Sequence, residues 1–237
     1  MSLSESKFML QDSKQLLNEI NQSYEKYLSE EYIPRELQNK IRNFLNNIES
    51  ALDYAAFDIF SRFCIKNVPQ EKLSTYEKRI NFPLRHSKKE FDKYIDTWFL
   101  GLRTERPDIV FSFEKHQPFM SGGSNWLTRF NFLVNNNKHR KLSKQKRTES
   151  REVRLVGQHG SNIVMIDCQM DSIGIDGQSI RFDQRTQLPI NAQSLKSAEA
   201  TIWVDFIFQD IQQSVLATLD YIYDGATYVI NDLEQII

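Results

Sequence analysis

The sequence predicts an α+β protein in which a helical bundle carries an antiparallel β-sheet portion inserted before a closing C-terminal helix. Apolar residues recur at helical spacing up to about residue 145, alternate with a period of two from Arg151 to Phe208, and return to helical spacing after Ile211. We therefore expect a single integrated domain, 1–237, with a bundle over 1–145, a sheet over 151–208, and a helix over 211–237 that returns to the bundle.

The second helix carries the strongest periodicity in the chain and is predicted to run from Pro34 to Cys64. Proline suits the first turn of a helix, and the apolar stripe then holds a spacing of three or four residues. Its members are Leu37, Ile41, Phe44, Ile48, Ala51, Ala55 and Ile59. Such a stripe is typical of a helix buried against several neighbours, so we expect the bundle to be built around it.

Three further helical features follow along the chain. Ser87, with a glutamate three residues later, has capping-box spacing and predicts a helix over 88–103. Prolines mark residues 66–86 and 107–118 as connections. After Gly122-Gly123-Ser124 another helix is expected, with Trp126, Phe130, Leu133 and Asn137 along one side.

The β portion is predicted from alternation and from one turn signal. Val153 and Leu155 alternate, residues 163–166 form an apolar run, and residues 200–208 are rich in β-branched and aromatic types. Asp176-Gly177 lies between two alternating segments and predicts a two-residue hairpin. Four or five antiparallel strands are therefore expected.

Composition excludes several classes of function. Four His and two Cys are scattered without metal-ligand spacing, and the chain has no phosphate-binding loop, dinucleotide fingerprint or His-Glu-x-x-His motif. We expect no cofactor and no metal, and we expect Cys64 and Cys168 to be buried free thiols. The first residues lack the apolar core of a signal peptide, and no apolar run is long enough to span a membrane, so a cytoplasmic protein is expected.

Charge is distributed unevenly along the chain. From Lys138 to Arg154 there are eight Lys or Arg against two Glu, a local charge of +6, whereas the last 41 residues hold seven Asp or Glu and no Lys or Arg. This division indicates either an anion-binding surface or two segments that pair inside one fold. The basic run itself is either a solvated loop that joins helix to sheet or a contact for a nucleic-acid backbone through phosphate charge.

The candidate site lies where the helix that starts near Trp126 meets this basic run. His139 is the candidate catalytic residue, because an imidazole transfers protons near neutral pH. The candidate phosphate ligands are Arg129, Asn136, Lys138, Arg140 and Lys141. The alternative is a structural helix end, whose cations complement the helix dipole and pair with carboxylates such as Asp53 or Asp58.

The order of short motifs resembles a group of uncharacterised bacterial proteins. The motifs are Ala51-Leu52-Asp53, Asn81-Phe82-Pro83, Gln117-Pro118-Phe119 and Asn137-Lys138-His139-Arg140, an "NKHR" helix end. The resemblance spans roughly residues 37–142. The helical plan is also similar to the HEPN superfamily. That resemblance implies an often dimeric helical bundle that acts as an RNase, or as an accessory protein, in prokaryotic defence.

HEPN nucleases carry an Arg-x(4–6)-His motif on a helix, and this chain departs from that pattern. Arg129 lies ten residues before His139, and Arg140 follows it. Arg79 and His86 have a spacing that fits, but they fall in a proline-containing connection, so we interpret that match as chance. The sequence thus predicts a HEPN-like protein that interacts with RNA or a nucleotide phosphate, with metal-independent RNA cleavage in a prokaryotic defence setting as the candidate activity. The alternative is a non-catalytic protein-interaction module in which the NKHR residues are structural.

A homodimer is expected from the apolar faces of the second helix and from aromatic residues in excess of what one core requires. Trp98 and Trp126 are the aromatic residues on which this expectation depends.

Overall fold

A computed structural model describes residues 3–120, 126–139, 144–184 and 187–237, with the backbone alone at 138 and 139. Two compact units divide the chain: Met1–Lys146 with Ile207–Ile237, and Arg147–Phe206. The first unit is largely helical and the second is built of β-strands. The α+β class, with a C-terminal helix after the strands, is confirmed. A single integrated domain stays a prediction.

The first unit is organised around two long helices, α1 (Ser4–Tyr24) and α2 (Arg35–Ile59), which pack along each other. Pro34 caps the start of α2, and the helix continues as a π-helical turn over Phe60–Cys64, which confirms the predicted span. The predicted apolar stripe is buried throughout. Burial raises the pKa of the Cys64 thiol to about 12, so this cysteine stays protonated.

Four helices follow α2: α3 (Leu73–Glu77), α4 (Lys88–Trp98), α5 (Leu102–Glu105) and α6 (Pro107–Lys115). The Ser87 cap is confirmed, because its Oγ accepts from the Glu90 N–H at 3.3 Å. The predicted end of α4 at residue 103 is wrong. Gly101, with φ of 82°, reverses the chain before α5 begins.

Two predicted connections contain helices, so the prediction there is wrong. Residues 66–86 include α3, and the stretch after Pro107 is α6. Proline occupies the first turn of α6, where its missing N–H costs no hydrogen bond, and Ile109, Val110 and Phe113 are buried beneath the helix. Proline therefore begins this helix rather than excluding one.

The bundle is completed by α7 (Trp126–His139) and α8 (Val215–Ile236). The closing helix α8 packs against α1, α2, α6 and α7. Trp126 on α7 lies against Gly225 on α8, where any larger residue would overlap the indole ring. Two acidic residues of α8 pair inside this unit, Asp232 with Lys115 and Glu234 with Lys7.

Six strands are present in the described residues: β1 (Gln145–Gly157), β2 (Asn162–Ile166), β3 (Ser172–Ile175), β4 (Gln178–Arg181), β5 (Leu195–Phe208) and β6 (Gln213–Ser214). The main sheet has the order β2-β1-β5-β6, and β3 pairs with β4 as a separate hairpin. The first strand begins before the predicted Arg151. Residues 145–154 of the basic run therefore lie in β1, and the interpretation of the run as a loop is wrong for them.

The core of the second unit follows from strand alternation. Val153 on β1 lies opposite Met165 on β2, and both are buried on one face, while their neighbours Arg154 and Val164 are exposed. The Asp176-Gly177 turn is confirmed as a hairpin, with positive φ at both residues. Cys168 is exposed, so the prediction of a buried thiol is wrong there.

The Gly225–Trp126 contact yields a stability prediction. Alanine in place of a helical glycine usually stabilises by about 1 kcal/mol. Gly225→Ala should instead lower the free energy of unfolding by about 1–3 kcal/mol, because the new methyl group meets the indole ring. Urea unfolding would measure this. Asn231→Ala, at an exposed position of the same helix, is the control. Stabilisation by Gly225→Ala would contradict the contact.

Candidate functional site

The segment from Ile80 to His86 lies outside regular secondary structure and is held by side chains from the bundle. The Phe82 N–H donates to Oδ1 of Asp53 on α2 at 2.8 Å. The Arg85 N–H donates to Oε1 of Gln117 at 2.9 Å, and the Gln117 amide in turn donates to the Phe113 carbonyl at 2.9 Å. Gln117 is fully buried. Asp53 is thus bonded directly to the Phe82-Pro83 landmark, and Gln117 is bonded to Arg85, three residues further along the same segment.

Tyr94 on α4 fixes the other end of this segment. Its hydroxyl donates to Oδ1 of Asn81 at 2.6 Å and accepts from the Asn81 N–H at 3.2 Å. The Arg85 guanidinium lies 3.7 Å from the centre of the Tyr94 ring. Burial raises the pKa of the Tyr94 hydroxyl. The segment is therefore anchored at residues 81, 82 and 85.

A cleft of about 140 Å³ opens between α2, this segment and α7. Its apolar walls are Leu52, Phe82, Leu84, Phe130 and Val134. Four polar side chains line it as well: Glu49, Asp53, Asn81 and Asn131. Apolar walls with a few convergent polar groups are the usual composition of a ligand pocket.

A row of polar side chains runs along α7 beside the cleft. Nδ2 of Asn131 lies 3.3 Å from Nε2 of His86, and Asn135 donates to Oδ1 of Asn131 at 2.9 Å. Because an amide nitrogen only donates, the first contact uses the lone pair of Nε2. His86 and Asn135 are exposed. The row points along α7, which continues for four residues beyond Asn135 to His139.

The predicted site residues fall into two groups. Arg129 lies with its guanidinium 5.2 Å from the centre of the Tyr221 ring on α8, and Asn136, seven residues later, shares that face of α7 and is half-buried. The side chains of Lys138 and His139, and all of Arg140 and Lys141, lie outside the described residues. The catalytic role of His139 and the phosphate-binding roles stay predictions.

His86 is the residue that reasoning from sequence missed. Its spacing from Arg79 fits the HEPN pattern, but the two residues fall in a connection rather than on a helix, which favours a chance match. The sequence does carry a second signal: residues 78–93 hold six Lys or Arg against two acidic residues. The contact between His86 and Asn131 joins residues 45 positions apart, so it cannot be predicted from a local sequence pattern.

His116 is buried and belongs to a separate, partly buried polar cluster between α6 and α8. Its Nε2 lies 4.0 Å from Oδ2 of Asp232, and Nζ of Lys115 lies 2.5 Å from Oδ1 of the same carboxylate. Ser112 also donates to Asp232. Burial, and then the Lys115 charge, lowers the pKa of His116 to about 4, against a smaller opposing effect of Asp232.

Comparison of the chain with protein-family models, with curated proteins and with solved structures gave no match in any of the three. Within the described residues, no helix has the length and apolarity that a bilayer crossing requires. In the same part of the chain, no group of three or more His, Cys, Asp or Glu side chains is arranged to hold a metal ion.

The Gln117 hydrogen bonds can be tested by a substitution of similar size. Gln117→Met should lower the free energy of unfolding by about 2–4 kcal/mol, because the Arg85 N–H and the Phe113 carbonyl lose the side chain that satisfies both. Chemical denaturation would measure the change. Gln11→Met on the exposed surface of α1 is the control. Equal stability of the two variants would show that Gln117 does not hold the segment.

His116 predicts a pH dependence of stability. Its pKa is near 6.5 in the unfolded chain and about 4 in the folded one, so the unfolded chain binds more protons between these values. The free energy of unfolding should therefore fall, by up to about 3 kcal/mol, as the pH is lowered from 6.5 to 4. The lowered pKa of Asp232 also makes the free energy of unfolding fall as the pH is lowered, but only below the usual Asp value of 3.8, and so outside the pH range in which His116 acts.

His116→Gln should remove most of this slope, as measured by denaturation at several pH values. His159→Gln, at an exposed turn, controls for the loss of a histidine as such. An unchanged slope in His116→Gln would show that His116 is not the residue that takes up the proton.

Proposed function

We propose that this HEPN-like protein binds RNA or a nucleotide phosphate along the C-terminal half of α7 and cleaves RNA without a metal ion, in a prokaryotic defence setting. The observation that carries the proposal is the row His86–Asn131–Asn135, which lies on the surface and points toward His139. Amides and imidazoles bind both phosphate oxygens and ribose hydroxyls. The row therefore suits a ligand that carries both groups.

The distribution of cations supports a polyanion rather than a neutral ligand. His86 belongs to residues 78–93, with six Lys or Arg and two acidic residues, and α7 ends in the basic run from Lys138 to Arg154. Cations are thus close in sequence to His86 at one end of the row and to Asn135 at the other. A phosphate chain that neutralises them would bind with an affinity that falls steeply as salt is added.

The chemistry assigned to His139 needs only proton transfer. The imidazole takes the proton of a ribose 2′-hydroxyl, the 2′-oxygen bonds to phosphorus, and the bond from phosphorus to the 5′-oxygen breaks. The leaving 5′-oxygen takes a proton from water, and the imidazolium gives its proton to the hydroxide that this forms. The products are a 2′,3′-cyclic phosphate and a 5′-hydroxyl, and the imidazole is regenerated. Lys138, Arg140 and Lys141 would stabilise the additional negative charge on phosphorus in the transition state.

The homodimer belongs to the same proposal. Trp126 is buried inside the bundle and therefore does not support a homodimer. Phe8 of α1 and Tyr54 and Phe57 of α2 are each at least 40% exposed. An aromatic surface of this kind on two long helices suits a second copy of the chain. Light scattering at tens of micromolar would give twice the chain mass of 27.9 kDa.

The second candidate function is a non-catalytic protein-interaction module, and one observation favours it. Arg129 packs on Tyr221, so one of the predicted phosphate ligands is used to hold α7 against α8. If the other residues of the helix end are used in the same way, the cations are structural and RNA has no site.

Binding of single-stranded RNA at several salt concentrations separates the two functions. The logarithm of affinity should fall against the logarithm of salt with a slope of about −0.7 for each phosphate contact. Replacing Arg140 and Lys141 by Ala should weaken binding and flatten this slope, whereas Lys26→Ala with Arg35→Ala, two exposed cations elsewhere, should have little effect. His139→Ala should abolish cleavage and preserve binding.

A different outcome would favour the interaction module. If the wild-type protein binds no RNA at low salt, and the Arg140 and Lys141 substitutions lower the melting temperature by many degrees, these residues are structural.

A further inference from the structure

We propose that the cleft between α2, residues 81–84 and α7 is a pocket for one unpaired nucleobase that carries an amino group. This inference rests on the proposed function, because it assigns the base of the RNA whose phosphates would follow α7. A cavity of about 140 Å³ is well below the 300–1,000 Å³ of pockets for drug-sized ligands. Its size suits a single ring system rather than a whole nucleotide.

The walls and the polar groups of the cleft match a base in different ways. Phe82 and Phe130, which are both buried, and the half-buried Leu84 line the cleft with apolar side chains of the kind that surround an extruded base. Glu49 and Asp53 are one turn apart on α2 and bring acceptor oxygens to the same cavity. Two carboxylates exclude a phosphate from the interior, so a neutral group with N–H donors is the better occupant.

The carboxylates also select among bases. Adenine, cytosine and guanine each carry an exocyclic amino group that donates to a carboxylate, as in the contact between Glu or Asp and the amino group of cytosine. Uracil carries a carbonyl oxygen at C4 where cytosine carries its amino group. This oxygen would face the carboxylates unfavourably, and the single ring N–H at N3 is the one donor that remains on that edge. We therefore expect discrimination against uracil.

Asn131 connects this pocket to the polar row. It lines the cleft, and it also contacts His86 and Asn135. Its amide has two N–H donors and two acceptor lone pairs, and these contacts use one of each, which leaves capacity for a base edge. From position 131 to position 139 the helix rises by about 12 Å. A ligand that fills the cleft and reaches position 139 is therefore longer than a nucleoside.

The test uses the full chain and a set of RNA hexamers made of uridine, with one position replaced by adenosine, cytidine, guanosine or an abasic residue. Fluorescence anisotropy at fixed salt should show about tenfold tighter binding when one amino-bearing base is present than for the uridine hexamer. The abasic hexamer should bind no more tightly than the uridine hexamer. Equal affinities across the set would overturn the pocket.

Two variants locate the effect. Glu49→Gln and Asn131→Ala should each reduce the preference for amino-bearing bases to about twofold or less, with no change in the salt dependence. Glu36→Gln, on the same helix, and Asn231→Ala, on α8, are exposed matched controls and should retain the preference. A preference retained in both pocket variants, with melting temperatures near that of the wild type, would place the base elsewhere.

A nucleoside arm separates failure of the pocket from failure of the proposed function. Saturation-transfer NMR with cytidine, adenosine and uridine at high salt reports on the cleft without phosphate. Saturation of cytidine and adenosine but not uridine supports the pocket, even if RNA fails to bind and the proposed function falls. RNA binding that depends on salt, with no base preference and no nucleoside saturation, overturns the pocket and preserves the phosphate site.

Discussion

The structure depends on one constraint: a segment without secondary structure, Ile80 to His86, must find hydrogen bonds within the bundle. An unsatisfied buried N–H costs about 1–3 kcal/mol, so the segment is stable only where side chains replace a helix or a strand. Asp53 and Gln117 do this for the N–H groups of Phe82 and Arg85. The cleft and the position of His86 both follow, because they are built on this segment.

The same constraint gives a physical meaning to three of the short motifs. Asp53, Phe82 and Gln117 come from motifs that are separate in sequence, and hydrogen bonds tie them to one segment. A glutamine with no exposed surface and both ends of its amide bonded is more restricted than a packing residue of similar size. These residues hold the segment in place, and Asp53 and Phe82 also line the cleft, while the polar row on α7 lies on the surface beside it.

The long elements could be predicted from sequence because their signals are local. The stripe of α2, the Ser87 cap and the Asp176-Gly177 hairpin each depend on residues a few positions apart, and each was predicted correctly. The misplaced boundaries have equally specific causes. Pro107 begins a helix, and Gly101 ends one earlier than predicted. The polar residues 145–150 form a strand because β1 pairs in the main sheet, and they show no apolar alternation from which a strand could be predicted.

The candidate site could be predicted only in part. The charge of the helix end is visible in the sequence, and so is the presence of His139 on a helix. The partnership of His86 with Asn131 is not visible, because it depends on where the anchored segment places residue 86 relative to α7. The sequence also does not show that Arg129 packs on α8, because its partner Tyr221 is far away along the chain and no local pattern connects the two.

The rotation of α7 about its axis connects the fold to the proposed site. Trp126 against Gly225 and Arg129 against Tyr221 both fix one face of α7 on α8. Asn131 follows Arg129 by two residues, about 200° around the helix, so it must lie on nearly the opposite side. The glycine on α8 therefore does more than admit a large ring. By allowing Trp126 to approach closely, it directs Asn131 and Asn135 toward His86 and the cleft, which are the surfaces that the proposed ligand would use.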